Sequence, residues 1–269
     1  MNTEEIKKIR LFLFDMDGTL YLGNRLFDFT RELLAEIKRQ RRRYLFITNN
    51  SSKSVVSYID KLAKMGIDAK KEDFITSSQA TIHYLKNAGF LNCRIYVFGT
   101  ESLRLEIENA GFCVTSDTES ADCIVMGFDT ELTFRKLDDV CRMLSTRDIP
   151  YIATHPDLVC PTEYGSVPDC GSVIRMIETA TGKTPFVIGK PKPLMIRLAT
   201  EKEGVPAERT AVVGDRLYTD IQSGINAGAK TVLVMSGETT PEMLEKSDIR
   251  PDFVLNSGRE ILEILRENT

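Results

Sequence analysis

Short apolar runs alternate along the chain with amphipathic stretches of 10 to 14 residues. Strand-like runs separated by segments of 3.6-residue period predict βαβ units and a parallel sheet. The candidate strands are IRLFLFD (9–15), RYLFIT (43–48), RIYVFG (94–99), DCIVMGF (122–128), PYIAT (150–154), TAVVGD (210–215) and KTVLVM (230–235). Helical periods fall at 30–40, 53–65, 101–110, 133–146, 172–181, 193–203, 217–227 and 258–267, several of them closed by glycine. The fold class is therefore α/β, and no repeat or low-complexity tract interrupts it.

Composition narrows this picture. At 269 residues the chain has room for about two domains, and 42% apolar with 28% charged residues is ordinary soluble composition. The longest apolar runs fall short of the roughly 18 residues a membrane span needs, which predicts no membrane partner. MNTEEIKKIR at the N-terminus has no apolar signal region, so a cytoplasmic location and reduced cysteines are expected. All six cysteines, from Cys93 to Cys170, lie in the middle third without a CxxC pair. They predict thiols rather than a zinc site, and their clustering marks a module of different composition. The net charge of −4 argues against nucleic acid as a partner. The basic run KRQRRR (38–43) reads as the solvated end of a helix.

The strand ends carry the candidate chemistry. The first strand ends on Asp15, the second on Thr48 followed by Asn49, and the strand at 210–215 on Gly214 and Asp215. Ligands of open parallel sheets bind beyond the carboxyl ends of strands, so these distant segments can build one site. LFLFDMDGTL places Asp17 two positions after Asp15, before Gly18 and Thr19; GKPKP carries Lys190; GDRLYTD carries Asp215 and Asp220. Two acids at one strand end and a third on another would repel unless a hard cation sat among them, and oxygen-only ligands select Mg²⁺. Singly, each residue has an ordinary explanation: Asp-Gly turns are common, lysines are solvated, and acids favour the first turn of a helix. Only two histidines, His83 and His155, are present, both away from these motifs, which leaves little for Ser-His-Asp chemistry. TGKT (181–184) imitates the tail of a P-loop, but Ile177 stands where its first glycine belongs, and no GxGxxG occurs.

Taken in order, DMDGT, ITNN with Thr48, GKPKP with Lys190 and GDRLYTD with Asp215 resemble the four motifs of the haloacid dehalogenase superfamily of phosphatases. The resemblance spans essentially the whole chain and implies a Rossmann-like parallel sheet core with helices on both faces and an inserted α/β cap domain. On this reading Asp15 is both nucleophile and metal ligand, and forms an aspartyl phosphate. Asp17 gives a proton to the leaving alcohol, takes one from water, and ligates the metal through its main-chain carbonyl. Thr48, Asn49 and Lys190 bind the phosphate, and Asp215 completes the metal ligands. Gly214 allows close approach, and Asp220 orients ligands or water.

About 140 residues separate Thr48 from Lys190, far more than a loop requires. The expected division is a core over 1–81, a cap over 82–184 and the rest of the core over 185–269. TNNSSKS (48–54) and PTEYGSVPDCGS (161–172) look like the type IIA cap of the p-nitrophenylphosphatase-like (NagD-like) branch. Two departures stand out. Where the branch commonly has Thr-Asn-Pro-Asp, this chain has Thr154, His155, Pro156 and Asp157; where it often has Pro-Gly, this chain has Pro168 and Asp169, followed by Cys170. His155, Asp169 and Cys170 are thus candidates for substrate choice, although His155 reads more simply as closing a loop and Asp169 as a helix cap. The expected activity is Mg²⁺-dependent hydrolysis of a small phosphorylated metabolite: a sugar phosphate, glycerol phosphate, nucleoside monophosphate or pyridoxal phosphate. A phosphomutase of the same superfamily and a non-catalytic phospho-receiver or binding module are the alternatives; oligomeric state stays open, a homodimer included.

Overall fold

The computed structural model describes residues 4–162 and 164–267, so residue 163, within the stretch 161–172, lies outside the described residues. The chain divides into two compact units: one takes the residues up to Thr48, Ile59–Ile75 and those from Lys190 onward, the other takes Asn49–Tyr58 and Thr76–Gly189. The boundary expected after residue 81 falls inside the helix Ser77–Asn87, which the second unit keeps whole. That helix lacks a sequence signature of amphipathic period. It is recognisable instead by its N-cap, where Thr76 accepts from the Gln79 N–H and Gln79 returns the bond to the Thr76 N–H.

The first unit is built on a six-stranded sheet in the order Phe253–Leu255, Lys230–Val234, Thr210–Gly214, Leu11–Phe14, Arg43–Thr48 and Phe74–Thr76. The pairings among the first five strands are parallel. The strand Leu11–Phe14 is wholly buried, as a central parallel strand covered on both faces should be. One helical layer is formed by Glu4–Lys7, Thr30–Arg39 and Gly258–Arg266; the other has Leu194–Glu203 and Gln222–Ala227. The chain reverses its winding at Leu11–Phe14, which has Arg43–Thr48 on one side and Thr210–Gly214 on the other. This is the switch point where a doubly wound sheet opens a crevice.

The second unit has its own parallel sheet, in the order Phe186–Val187, Tyr151–Ala153, Cys123–Met126, Arg94–Phe98 and Cys113–Thr115. Helices Phe134–Thr146 and Cys170–Thr181 close a core of Phe98, Ile124, Met126, Val140 and Ile177. An antiparallel hairpin, Val159–Thr162 with Gly165–Pro168, precedes the second of these helices. All six cysteines lie in this unit as free thiols, and burial pushes the Cys123 thiol up to about 12.

Phe12, fully buried and stacked on Phe14 with ring centroids 6.0 Å apart, anchors the first sheet. Phe12→Ala should cost about 3–5 kcal/mol, read as a lowered urea midpoint at unchanged slope. A loss under about 1 kcal/mol would contradict the packing described.

Candidate active site

The site begins where two adjacent strands stop. Phe14 and Val213 are register partners, so the residues that follow, Asp15 and Gly214–Asp215, emerge side by side at the carboxyl edge. The Asp15 N–H still donates to the Val213 carbonyl at 2.8 Å, which fixes the backbone of Asp15 while its side chain leaves the ladder. Lys190 opens the loop before the helix Leu194–Glu203. Lys190 is 2% exposed, and its ammonium donates to Asp15 Oδ1 at 2.7 Å and to Asp220 Oδ1 at 2.6 Å. Asp220 is delivered by a wide turn over Leu217–Ile221, in which the N–H groups of Asp220 and Ile221 both donate to the Arg216 carbonyl. Such π-turns recur at functional sites because they re-aim a side chain that a regular helix would carry elsewhere.

Oxygens of Asp15, Asp215 and Asp220 lie within 4.8 Å of one another. Burial first, and then the neighbouring carboxylates, hold Asp215 up at about 8. Burial also raises Asp15, to about 6; the Lys190 ammonium opposes that rise without cancelling it. Burial disfavours the charge of Lys190, yet Asp15 and Asp220 more than offset this and keep it firmly protonated. Three carboxylates against one ammonium leave two negative charges, the complement of one divalent cation. The donor set is all oxygen and fits Mg²⁺ or Ca²⁺ rather than a soft metal.

A second loop braces Asp215. Its Oδ2 accepts from the Glu238 N–H at 2.7 Å, and its carbonyl accepts from Thr239 Oγ1 at 2.5 Å. Ser236 Oγ donates to the Gly18 carbonyl at 2.7 Å, tying this loop to the turn after Asp15. Gly18 has φ +81°, and a Cβ there or at Gly237 would strike the Asp215 carboxylate. Glycine at these two positions is what lets backbone approach the carboxylate from both sides.

Residues 12–113 match the family described as haloacid dehalogenase-like hydrolase, and residues 187–261 match a HAD-hydrolase-like family. An acid sugar phosphatase of Staphylococcus haemolyticus is 33% identical over 98% of this chain and 99% of its own. The chain belongs to the haloacid dehalogenase-like hydrolases. The crystal structure of a 4-nitrophenylphosphatase from Thermotoga maritima is 44% identical, with a TM-score of 0.90 over 96% of this chain and 98% of that one. A glycerol phosphate phosphatase from Mycobacterium tuberculosis, in complex with calcium, is 29% identical, with a TM-score of 0.88 over 97% of this chain and 76% of that one.

Within this hydrolase the structure brings together Asp15, Lys190, Asp215 and Asp220. The Asp220 carboxylate is one of the three clustered groups. The Asp17 carboxylate is outside that cluster and accepts from the Gly23 N–H at 3.3 Å. Thr48 ends its strand as a buried residue. The Asn49 amide nitrogen is committed within the second unit, donating to Asp157 Oδ1 at 2.9 Å. His155 and Cys170 are fully buried in that unit, and Asp169 caps the helix Cys170–Thr181. None of these three side chains offers an open face to a leaving group. The sequence reasoning missed the loop 236–239 and Arg216, whose Nε pairs with Glu238 Oε2 at 2.8 Å. The signal was available: this loop follows the carboxyl end of the strand at 230–235, where strand-end logic applies equally.

Both raised acids stabilise the metal-free native state below about pH 4 and lose that contribution as pH rises through about 6 for Asp15 and about 8 for Asp215. In chelator, Asp215→Asn should therefore gain stability relative to the parent between about pH 4 and about pH 9, measured by denaturant melts at each pH. A gap that does not change with pH would contradict the shift.

Proposed function

We propose that this hydrolase is a Mg²⁺-dependent phosphatase of small phosphate monoesters that works through an aspartyl phosphate on Asp15. The observation that carries the reading is Asp15 at a strand end with one carboxylate oxygen held by the buried Lys190 ammonium, in a group of three carboxylates. That bond orients the other oxygen for attack on phosphorus and lowers the entropy cost of reaching the in-line geometry. Asp15, Asp215 and the Asp17 carbonyl are the proposed metal ligands, with Asp220 beside them. A divalent ion there would neutralise the carboxylates and the phosphoryl oxygens as they approach.

Lys190 adds fixed positive charge, and Thr48 with the N–H groups that follow it would hold the non-bridging oxygens. Asp17, exposed and on the turn beside Gly18, is suited to protonate the leaving alcohol and then to deprotonate the water that hydrolyses the acyl phosphate. The leaving group is proposed to be a sugar, glycerol, nucleoside or pyridoxal moiety. The names of the relatives, which span acid sugar, nitrophenyl and glycerol phosphates, support the monoester class.

Asp15→Asn should reduce release of inorganic phosphate from 4-nitrophenyl phosphate to about a thousandth or less while circular dichroism stays that of the parent. Turnover at the parental rate would rule out Asp15 as nucleophile. Chelation should stop turnover and added Mg²⁺ restore it; an undiminished rate in chelator would exclude the metal. A panel of phosphorylated metabolites, compared by kcat/KM, identifies the leaving group.

A further inference from the structure

His155 is 0% exposed, and neither ring nitrogen has a hydrogen-bond partner. Its Nδ1 lies 3.7 Å from Asp157 Oδ2 and its Nε2 lies 3.7 Å from Asp169 Oδ1, with both acids buried as well. The two nitrogens face different carboxylates, so the ring stands between them, and one ligand atom from each of the three residues lies within 4.8 Å of the others. An imidazole has two ring nitrogens and so presents one to each acid. Removing the ring leaves the two buried acids without the group that stands between them. His155 and Asp169 are also the two departures noted in the sequence, and the fold sets them face to face.

The environment of this triad gives it a task. Asp157 uses its other oxygen to hold the Asn49 amide at 2.9 Å. The Asn49 carbonyl accepts from Ser77 Oγ, and Ser51 Oγ meets Thr154 Oγ1 at 2.9 Å. The Gly189 N–H donates to the Thr154 carbonyl at 2.8 Å. A Cβ at Gly189 would meet Asn49 Oδ1, the Thr154 carbonyl and His155 Cβ. Residues 49 and 189 thus converge on one buried cluster, and each is the immediate chain neighbour of a proposed phosphate-binding residue, Thr48 and Lys190.

We propose that His155 is a positioning residue for hydrolysis. By fixing the Asp157 carboxylate it fixes Asn49 and the backbone beside Gly189, and so sets the peptides that lead into Thr48 and Lys190. The proposal rests on the phosphatase reading for its kinetic consequence, whereas its structural consequence stands independently. Groups that orient binding residues in this way affect rate through geometry, with little change in the fold.

The test is a double-mutant cycle on the full chain with Mg²⁺ and 4-nitrophenyl phosphate. His155→Asn should lower kcat about tenfold with KM changed less than about twofold. If His155 acts through Asn49, adding His155→Asn to Asn49→Ala should lower kcat by less than about a further twofold. Additive losses, or a parental kcat in His155→Asn, overturn the proposal. Should His155→Asn fail to fold, Asp157→Asn takes its place in the cycle, since it keeps an acceptor for Asn49 but removes the charge facing the ring; the same two outcomes decide. In parallel, amide hydrogen exchange of peptides covering 48–52 and 188–190 should be faster in the variant than in the parent. Unchanged exchange overturns the positioning role even if activity falls. If the parent releases no phosphate from any ester, the phosphatase reading fails, and the exchange result alone decides the role of His155.

Discussion

The buried charge imbalance around Lys190 is the constraint on which the rest of the structure depends. One ammonium serves two carboxylates, and a third lies within ligand distance of both. In a largely dehydrated crevice this arrangement is unstable unless protons or a cation make up the deficit. The upward displacement of Asp15 and Asp215 records the proton solution. A hard divalent cation is the other, and it turns the same carboxylates into ligands and an attacking group.

The fold concentrates acids here because two adjacent strands, Leu11–Phe14 and Thr210–Gly214, end side by side at one sheet edge. Phe14 and Val213 pair in register, so the next residues on each strand must share a small volume. Gly18 and Gly237 remove the side chains that would otherwise push the Asp215 carboxylate away. The wide turn at Leu217–Ile221 then brings Asp220 back over the strand end, where Lys190 meets it. Packing energy from the buried strands holds these groups together against their mutual repulsion.

Much of this was legible in the residues. The seven expected strands are the central ones of the two sheets, where continuous apolar runs advertise burial on both faces. The strands that were not anticipated in those sheets, Phe74–Thr76, Cys113–Thr115, Phe186–Val187 and Phe253–Leu255, are all edges of two or three residues, too short to set a pattern. The segment 217–227 reads as one helix, and the structure breaks it into a wide turn, which brings Asp220 to Lys190, and a short helix. His155 looked like loop chemistry because its partners, Asp157 and Asp169, are brought together by a hairpin that local sequence does not announce.

The most direct test of the charge argument is the proton count of metal binding. Titration calorimetry of Mg²⁺ into metal-free protein near pH 7, repeated in buffers of different ionisation enthalpy, reports how many protons leave as the ion enters. With Asp215 held near 8 and Asp15 near 6, the account predicts net proton release. Binding without proton release would mean that the carboxylates are already ionised in the metal-free protein, and would contradict it.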